Sequence, residues 1–153
     1  MKPSEALAKL GIALPTPPSP VGSYVPGIRT GDLILVSGQI PLEDGKLTLT
    51  GKVGSDATLE AAQQAARRCV LAGLAIAAEH AGGIDSIEQV VRVGVFVNSA
   101  PGFTDQPKVA NGASDVLVEI FGDAGRHVRA AVGVNELPLD AAVEVELMVR
   151  VRA

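Results

Sequence analysis

Arg129 is the residue whose type and setting point most directly to chemistry. It lies in the stretch 127–134, HVRAAVGV, which is small and apolar enough to be a strand. In extended backbone the side chains alternate, so His127, Arg129, Ala131 and Gly133 share one face. Val128, Ala130, Val132 and Val134 form the other, and this valine face is expected against the helices. Arg129 would then project from the far face, with Ala131 and Gly133 leaving room beside it. A planar guanidinium over a small-residue floor receives a carboxylate through two parallel charge-assisted hydrogen bonds. An ordinary arginine on an exposed strand has the same spacing, and spacing alone leaves both readings open. Glu144 is the second candidate, on the polar face of the stretch 142–152 with Glu146, Arg150 and Arg152. That strand is expected to pair with the strand of Arg129 across a turn at 135–140. A carboxylate there can aim a water or shuttle a proton, or it can simply neutralise a neighbouring arginine.

The other reactive side chains read more plainly. His80 and His127 are the 2 histidines, without HxH, HExxH or CxxC spacing, and both read as surface or capping residues rather than metal ligands. The single cysteine, Cys69, falls in an apolar helical stripe, where it is a small core residue and not a nucleophile. One cysteine also excludes an intramolecular disulfide.

The elements that must hold these residues follow from periodicity and punctuation. A chain of 153 residues suits one domain, since domains commonly take about 100–200 residues. Residues 4–10 form a short helix capped by Ser4, and the proline cluster at 15–20 is a stiff extended connector. Residues 1–20 are therefore set apart as an extension from a body at 21–153. Stretches 24–28 and 33–39 read as a hairpin, and 46–52 as a further strand. Thr58 caps a long helix through residue 81, stopped by Gly82-Gly83, with Leu59, Ala62, Ala66, Cys69, Gly73 and Ile76 inward. Residues 90–97 are a strand with Val91, Val93, Val95 and Val97 on one face. After a polar loop at 98–107 comes a helix at 108–121 with Val109, Val116, Leu117 and Ile120 inward, then a turn at 122–125 and the two strands named above. The fold class is α+β, with two main helices on one face of a mostly antiparallel sheet. Several strands are apolar or small on both faces, so the second face requires cover from another copy.

Composition narrows the partners. A net charge of −4 and 3% aromatic residues disfavour a phosphate-binding groove or a base-stacking platform, so no nucleic acid is expected. The longest apolar run is too short to span a bilayer, and the first residues lack an apolar signal core, which makes a cytoplasmic address the default expectation.

Taken together, Gly22-Ser23-Tyr24-Val25-Pro26-Gly27, Ser37-Gly38-Gln39-Ile40-Pro41, Val95-Phe96-Val97, Arg129, Leu137-Pro138 and Val143-Glu144-Val145-Glu146 resemble the Rid family (YjgF type). These are the reactive-intermediate imine deaminases, also labelled endoribonuclease L-PSP proteins. The resemblance runs from about residue 21 onward. It implies a chorismate-mutase-like fold and a homotrimer with ligand clefts between subunits. Carried over residue by residue, it makes Arg129 the carboxylate-binding arginine, Glu144 the water-positioning glutamate, Tyr24 the cleft tyrosine, Ser37 the SGQ serine and Asn111 the asparagine of the second helix. This chain departs from the family at Ala131, where a cleft cysteine is usual, and at His127-Val128, where Pro-Ala is common. Both changes alter pocket size and polarity and bear on substrate choice.

The implied reaction is hydrolysis of a 2-imino acid of the 2-aminoacrylate type to a 2-oxo acid and ammonia, with no metal or organic cofactor. A second reading is a trimeric protein that binds or senses a small carboxylate without turnover. A ribonuclease or translation inhibitor, the function in the family's other labels, fits the acidic composition poorly.

Overall fold

The computed structural model describes residues 1–19 and 22–152, so Pro20 and Val21, where extension and body were divided, lie outside the described residues. The first helix, α1 (Pro3–Leu10), starts one residue earlier than Ser4. Ser4 is not its cap. The Ser4 amide and hydroxyl instead donate to the Asp85 carboxylate at 2.8 and 2.6 Å, while the Lys2 amide is met by Glu5. Leu7 is buried in the common core, so α1 is clasped onto the body.

Strands β1 (Gly27–Thr30) and β2 (Leu33–Gln39) form the expected antiparallel hairpin, although the first begins at Gly27 rather than at 24. Of the expected strand at 46–52 only Lys46–Leu47 forms. Asp44 and Gly45 both adopt positive φ, which folds β3 (Leu42–Glu43) tightly onto β4 (Lys46–Leu47) as a separate small hairpin. Beyond it the chain turns repeatedly at Gly51 and Gly54, also at positive φ.

Helix α2 (Leu59–Ala81) is capped by Thr58, whose hydroxyl accepts from the Ala61 amide at 3.1 Å, and ends at left-handed Gly82. Its buried stripe includes Ala62, Ala66, Cys69, Gly73 and Ile76. Strand β5 (Ile87–Asn98) follows, and a register shift between Val90 and Arg92 turns Val90 inward and leaves Val91 half-buried, contrary to strict alternation. Helix α3 (Gln106–Phe121) takes in two residues assigned to the preceding loop and buries Val109, Val116, Leu117 and Ile120. Strands β6 (Val128–Val134) and β7 (Val143–Val151) complete a sheet ordered β1-β2-β7-β5-β6.

Two expectations about these strands are overturned. β7 does not pair with β6. It lies between β2 and β5, antiparallel to both, while β6 pairs parallel to β5 on the far edge. The α3 crossover makes β5 and β6 parallel neighbours, and the connection through Pro138–Asp140 carries the chain back past β5. The second correction is the face of β6. Arg129 registers with buried Val93 and points to the helix side, whereas Val128 and Val132 are 67% and 45% exposed on the open side. Space decides this. A Cβ at Gly133 would stand 2.8 Å from Gln106 Nε2 and 2.9 Å from Ser99 Oγ, so only the small-residue face fits beneath that corner of α3.

The core thus lies between the sheet and α2 with α3, and among the described residues the other sheet face has no helix over it. That open face carries Ile28, Phe96, Met148, Val128 and Val132, with Arg92–Glu146 and Arg150–Glu88 ion pairs at 2.7 and 3.2 Å among them. Among the described residues, no helix is long and apolar enough to cross a membrane.

Candidate functional site

The helix-side edge of the sheet holds Arg129 in a polar cluster. Arg129 Nη1 donates to Asn111 Oδ1 at 2.9 Å and to Ser114 Oγ at 3.1 Å, both on α3. Asn111 and Ser114 are three apart, hence on one helix face. Ser114 Oγ lies 2.9 Å from His127 Nε2, and His127 Nδ1 lies 2.7 Å from the Gly125 carbonyl oxygen. A cavity of about 250 Å³ opens beside this cluster, lined by Ser114, Asp115, Val118, Arg126, His127 and Arg129. Arg126 faces Asp123 at 3.6 Å, whereas among the described residues the partners of Arg129 are the neutral Asn111 and Ser114. Neither Ser114 nor the role of His127 was visible in the sequence; the one available signal was that His127 and Arg129 share a strand face.

Glu144 occupies the opposite face. It registers with Phe96 of β5 and half-faces solvent beside Gly38 of β2, where a Cβ would stand 2.4 Å from Glu144 Oε2. Glycine at 38 is therefore what leaves room for the carboxylate. Among the described residues no side chain hydrogen-bonds Glu144. Burial, and secondarily the nearby Glu146 charge, push its carboxyl above the usual glutamate range. Ser37 stands next to Gly38 and donates to the Pro26 carbonyl at 3.1 Å, which ties the loop of Tyr24 to β2. Tyr24 itself is 61% exposed.

The structure therefore joins Arg129 with Asn111, and Glu144 with the Ser37–Gly38 corner, but keeps the two groups apart. They sit on opposite faces of the sheet with β5 between their strands. No side-chain rotation brings them together within one chain. The remaining large concavity, about 970 Å³ between residues 12–18, the β3–β4 hairpin and α2, includes neither of them. Its Arg68 is paired with Glu43 at 3.5 Å. Cys69 is wholly buried with its thiol 3.7 Å from the Val143 carbonyl, and burial drives its ionisation far upward, so it remains an unreactive core thiol. Among the described residues no group of three or more His, Cys, Asp or Glu side chains is placed to hold a metal ion.

Comparison with known proteins extends the picture beyond geometry. Residues 4–151 match the family model described as "YjgF/chorismate mutase-like, putative endoribonuclease", a span that takes in α1 as well as the sheet. The chain is 44% identical to protein TCP17 of Trypanosoma cruzi over 144 residues, covering 94% of this chain and 90% of that protein. It is 30% identical over 138 residues to a 2-iminobutanoate/2-iminopropanoate deaminase of Dermatophagoides farinae, covering 90% and 93% of the two chains. The crystal structure of Atu1372 from Agrobacterium tumefaciens, a protein of unknown function, superposes with a TM-score of 0.88 at 39% identity over 99% of this chain and 92% of that one. An α+β sheet with its helices on one face, an arginine and a glutamate at its two exposed corners, and a family match across nearly the whole length lead to one conclusion: the chain belongs to the YjgF/Rid family.

Proposed function

We propose that this chain hydrolyses 2-imino acids to 2-oxo acids and ammonia, at a site completed by two copies of the chain. The observation that carries the reading is the division of the site: Arg129 and Glu144 each face outward, on opposite sides of one sheet, each with half of the chemistry. Arg129 holds the substrate carboxylate through its guanidinium fork, with Asn111 beside it. Glu144, with Tyr24 and Ser37 at its corner, takes the water. The protonated imine carbon is already electrophilic. Water adds to that carbon as its proton passes to Glu144, and the C=N electron pair returns to nitrogen. Glu144 then hands that proton to the amine and takes the remaining hydroxyl proton as the carbonyl forms and the C–N bond breaks; ammonia leaves and carries that last proton away as ammonium, which restores the carboxylate. Nothing is oxidised or reduced. Positioning and proton transfer are the main demands on the protein.

The assembly follows the same logic. An α3–β6 edge on one copy meeting the open sheet face of the next is a head-to-tail contact, which builds a ring when the rotation between copies closes. Three copies per ring is what the family resemblance implies. The exposed valines of β6 and Ile28 of β1 supply the apolar surface for that contact. The 30% identity to a named imine deaminase supports the reaction class.

Subunit mixing tests this directly. Arg129→Ala and Glu144→Gln chains should each be strongly impaired alone on freshly generated 2-iminobutanoate held well below the parent KM. Unfolded together and refolded at equal amounts, they should recover about a quarter of the parent rate, because one contact in four then combines both intact halves. No recovery on mixing would overturn the shared site. A parent protein that binds 2-oxobutanoate but does not speed imine loss would leave a binding or sensing role instead.

A further inference from the structure

We infer that Ser114 and His127 are positioning residues for Arg129, and that they turn the Nε and Nη2 edge of its guanidinium toward the substrate carboxylate. The inference rests on the imine-deaminase reading and adds residues to that same site. A carbonyl oxygen can only accept, so the 2.7 Å contact with Gly125 places the proton of the neutral imidazole on His127 Nδ1. Nε2 is then an acceptor, and the Ser114 hydroxyl donates to it at 2.9 Å. With its proton committed, Ser114 Oγ offers lone pairs to Arg129 Nη1 at 3.1 Å. The bonds run in one direction, from Arg129 to Ser114 to His127 to Gly125.

Its far end is rigid. Gly125 is buried, and a Cβ there would stand 2.3 Å from the Leu117 carbonyl oxygen, so the turn is wedged against α3. At the near end, Ser114 and Asn111 both accept from Nη1. The end-on fork of the guanidinium is thereby occupied. The side-on fork, from Nε and Nη2, remains for a bidentate carboxylate. An arginine already held in place loses less side-chain freedom when ligand binds, which favours affinity.

The test compares Ser114→Ala, His127→Ala, His127→Gln and Arg129→Ala, using calorimetry with 2-oxobutanoate and turnover of 2-iminobutanoate. Ser114→Ala and His127→Ala should weaken 2-oxobutanoate binding and raise KM by roughly threefold to tenfold with kcat little changed, since the carboxylate contact is made equally in ground and transition states. His127→Gln, whose side-chain oxygen can accept from Ser114, should restore most of the loss. On binding, the Arg129 Nε–H resonance should shift in the parent protein. Parent-like binding by both alanine variants, while Arg129→Ala loses it, would overturn this inference and leave the deaminase reading standing. Parent-like binding by Arg129→Ala would overturn both.

Discussion

The two halves of the candidate site are built by opposite means. Around Arg129 the chain supplies partners: Asn111, Ser114 and, behind it, His127 restrain the guanidinium. Around Glu144 it withholds them, leaving a half-buried carboxylate beside a glycine with no hydrogen bond from another side chain among the described residues. The contrast suits the work proposed for each. A recognition group gains from being fixed before ligand arrives, whereas a base gains from weak solvation, because burial raises its proton affinity toward neutral pH.

The sharpest way to break this contrast is Glu144→Gln. It should cut turnover by about a hundredfold or more, the range expected for a positioned general base, and leave calorimetric binding of 2-oxobutanoate nearly intact. Equal losses of binding and turnover would show that Glu144 recognises substrate rather than activating water. Next in size is Arg129→Lys, which keeps the charge and loses the fork. It should lower affinity by roughly tenfold to a hundredfold, close to the loss in Arg129→Ala, as for a charge-assisted bond worth about 1.5–3 kcal/mol. Full rescue by lysine would reduce the site to a simple positive charge.

Gly38→Ala sharpens the other half. Its new methyl meets the flexible end of Glu144, so the fold should survive while the carboxylate is displaced. Turnover should fall severalfold, with melting temperature and 2-oxobutanoate affinity retained. The pH dependence is subtler. Glu144 is pushed above the ordinary glutamate range in the folded chain, so the native state binds more protons than the unfolded one between the two values. Stability contributed by this group therefore declines as pH rises through that window, while activity climbs as the base ionises. Glu144→Gln should remove both trends, and a denaturation series across acidic to neutral pH measures the first. The smallest effect concerns Cys69, which should react with a thiol reagent only as fast as the protein unfolds. Rapid labelling of the native state would contradict its burial.

How far the sequence carried depended on whether a decision was local. Helix α2 was legible because Thr58, the apolar stripe and Gly82 all act within a few residues of one another. Strand β7 was equally clear from its strict alternation of buried and half-exposed residues. The face of β6 was not legible, since both of its faces are small or apolar and periodicity cannot choose between them. Clearance at Gly133 beneath Gln106 and Ser99 makes that choice, across elements distant in sequence. A separate error, the pairing of β7 with β6, placed Arg129 and Glu144 as neighbours. Their types were informative, but their separation is a property of strand order, which alternation does not encode. His127 was read as a surface residue for a related reason: its partner Ser114 lies on another element.

Strand order also has a consequence for how the molecule is made. β7 follows all the other strands in the chain yet is the middle strand of the five. During synthesis the β1–β2 hairpin and the β5–α3–β6 unit emerge first, and each presents an unpaired apolar edge until β7 arrives to bridge them. Joining β2 to β7 closes a loop of roughly a hundred residues, a slow, non-local step. Both edges are open to wrong pairing during that interval. In pulse-labelled exchange, amides of β2 and β5 that bond to β7 should gain protection in the same late phase as β7 itself, after those of α2.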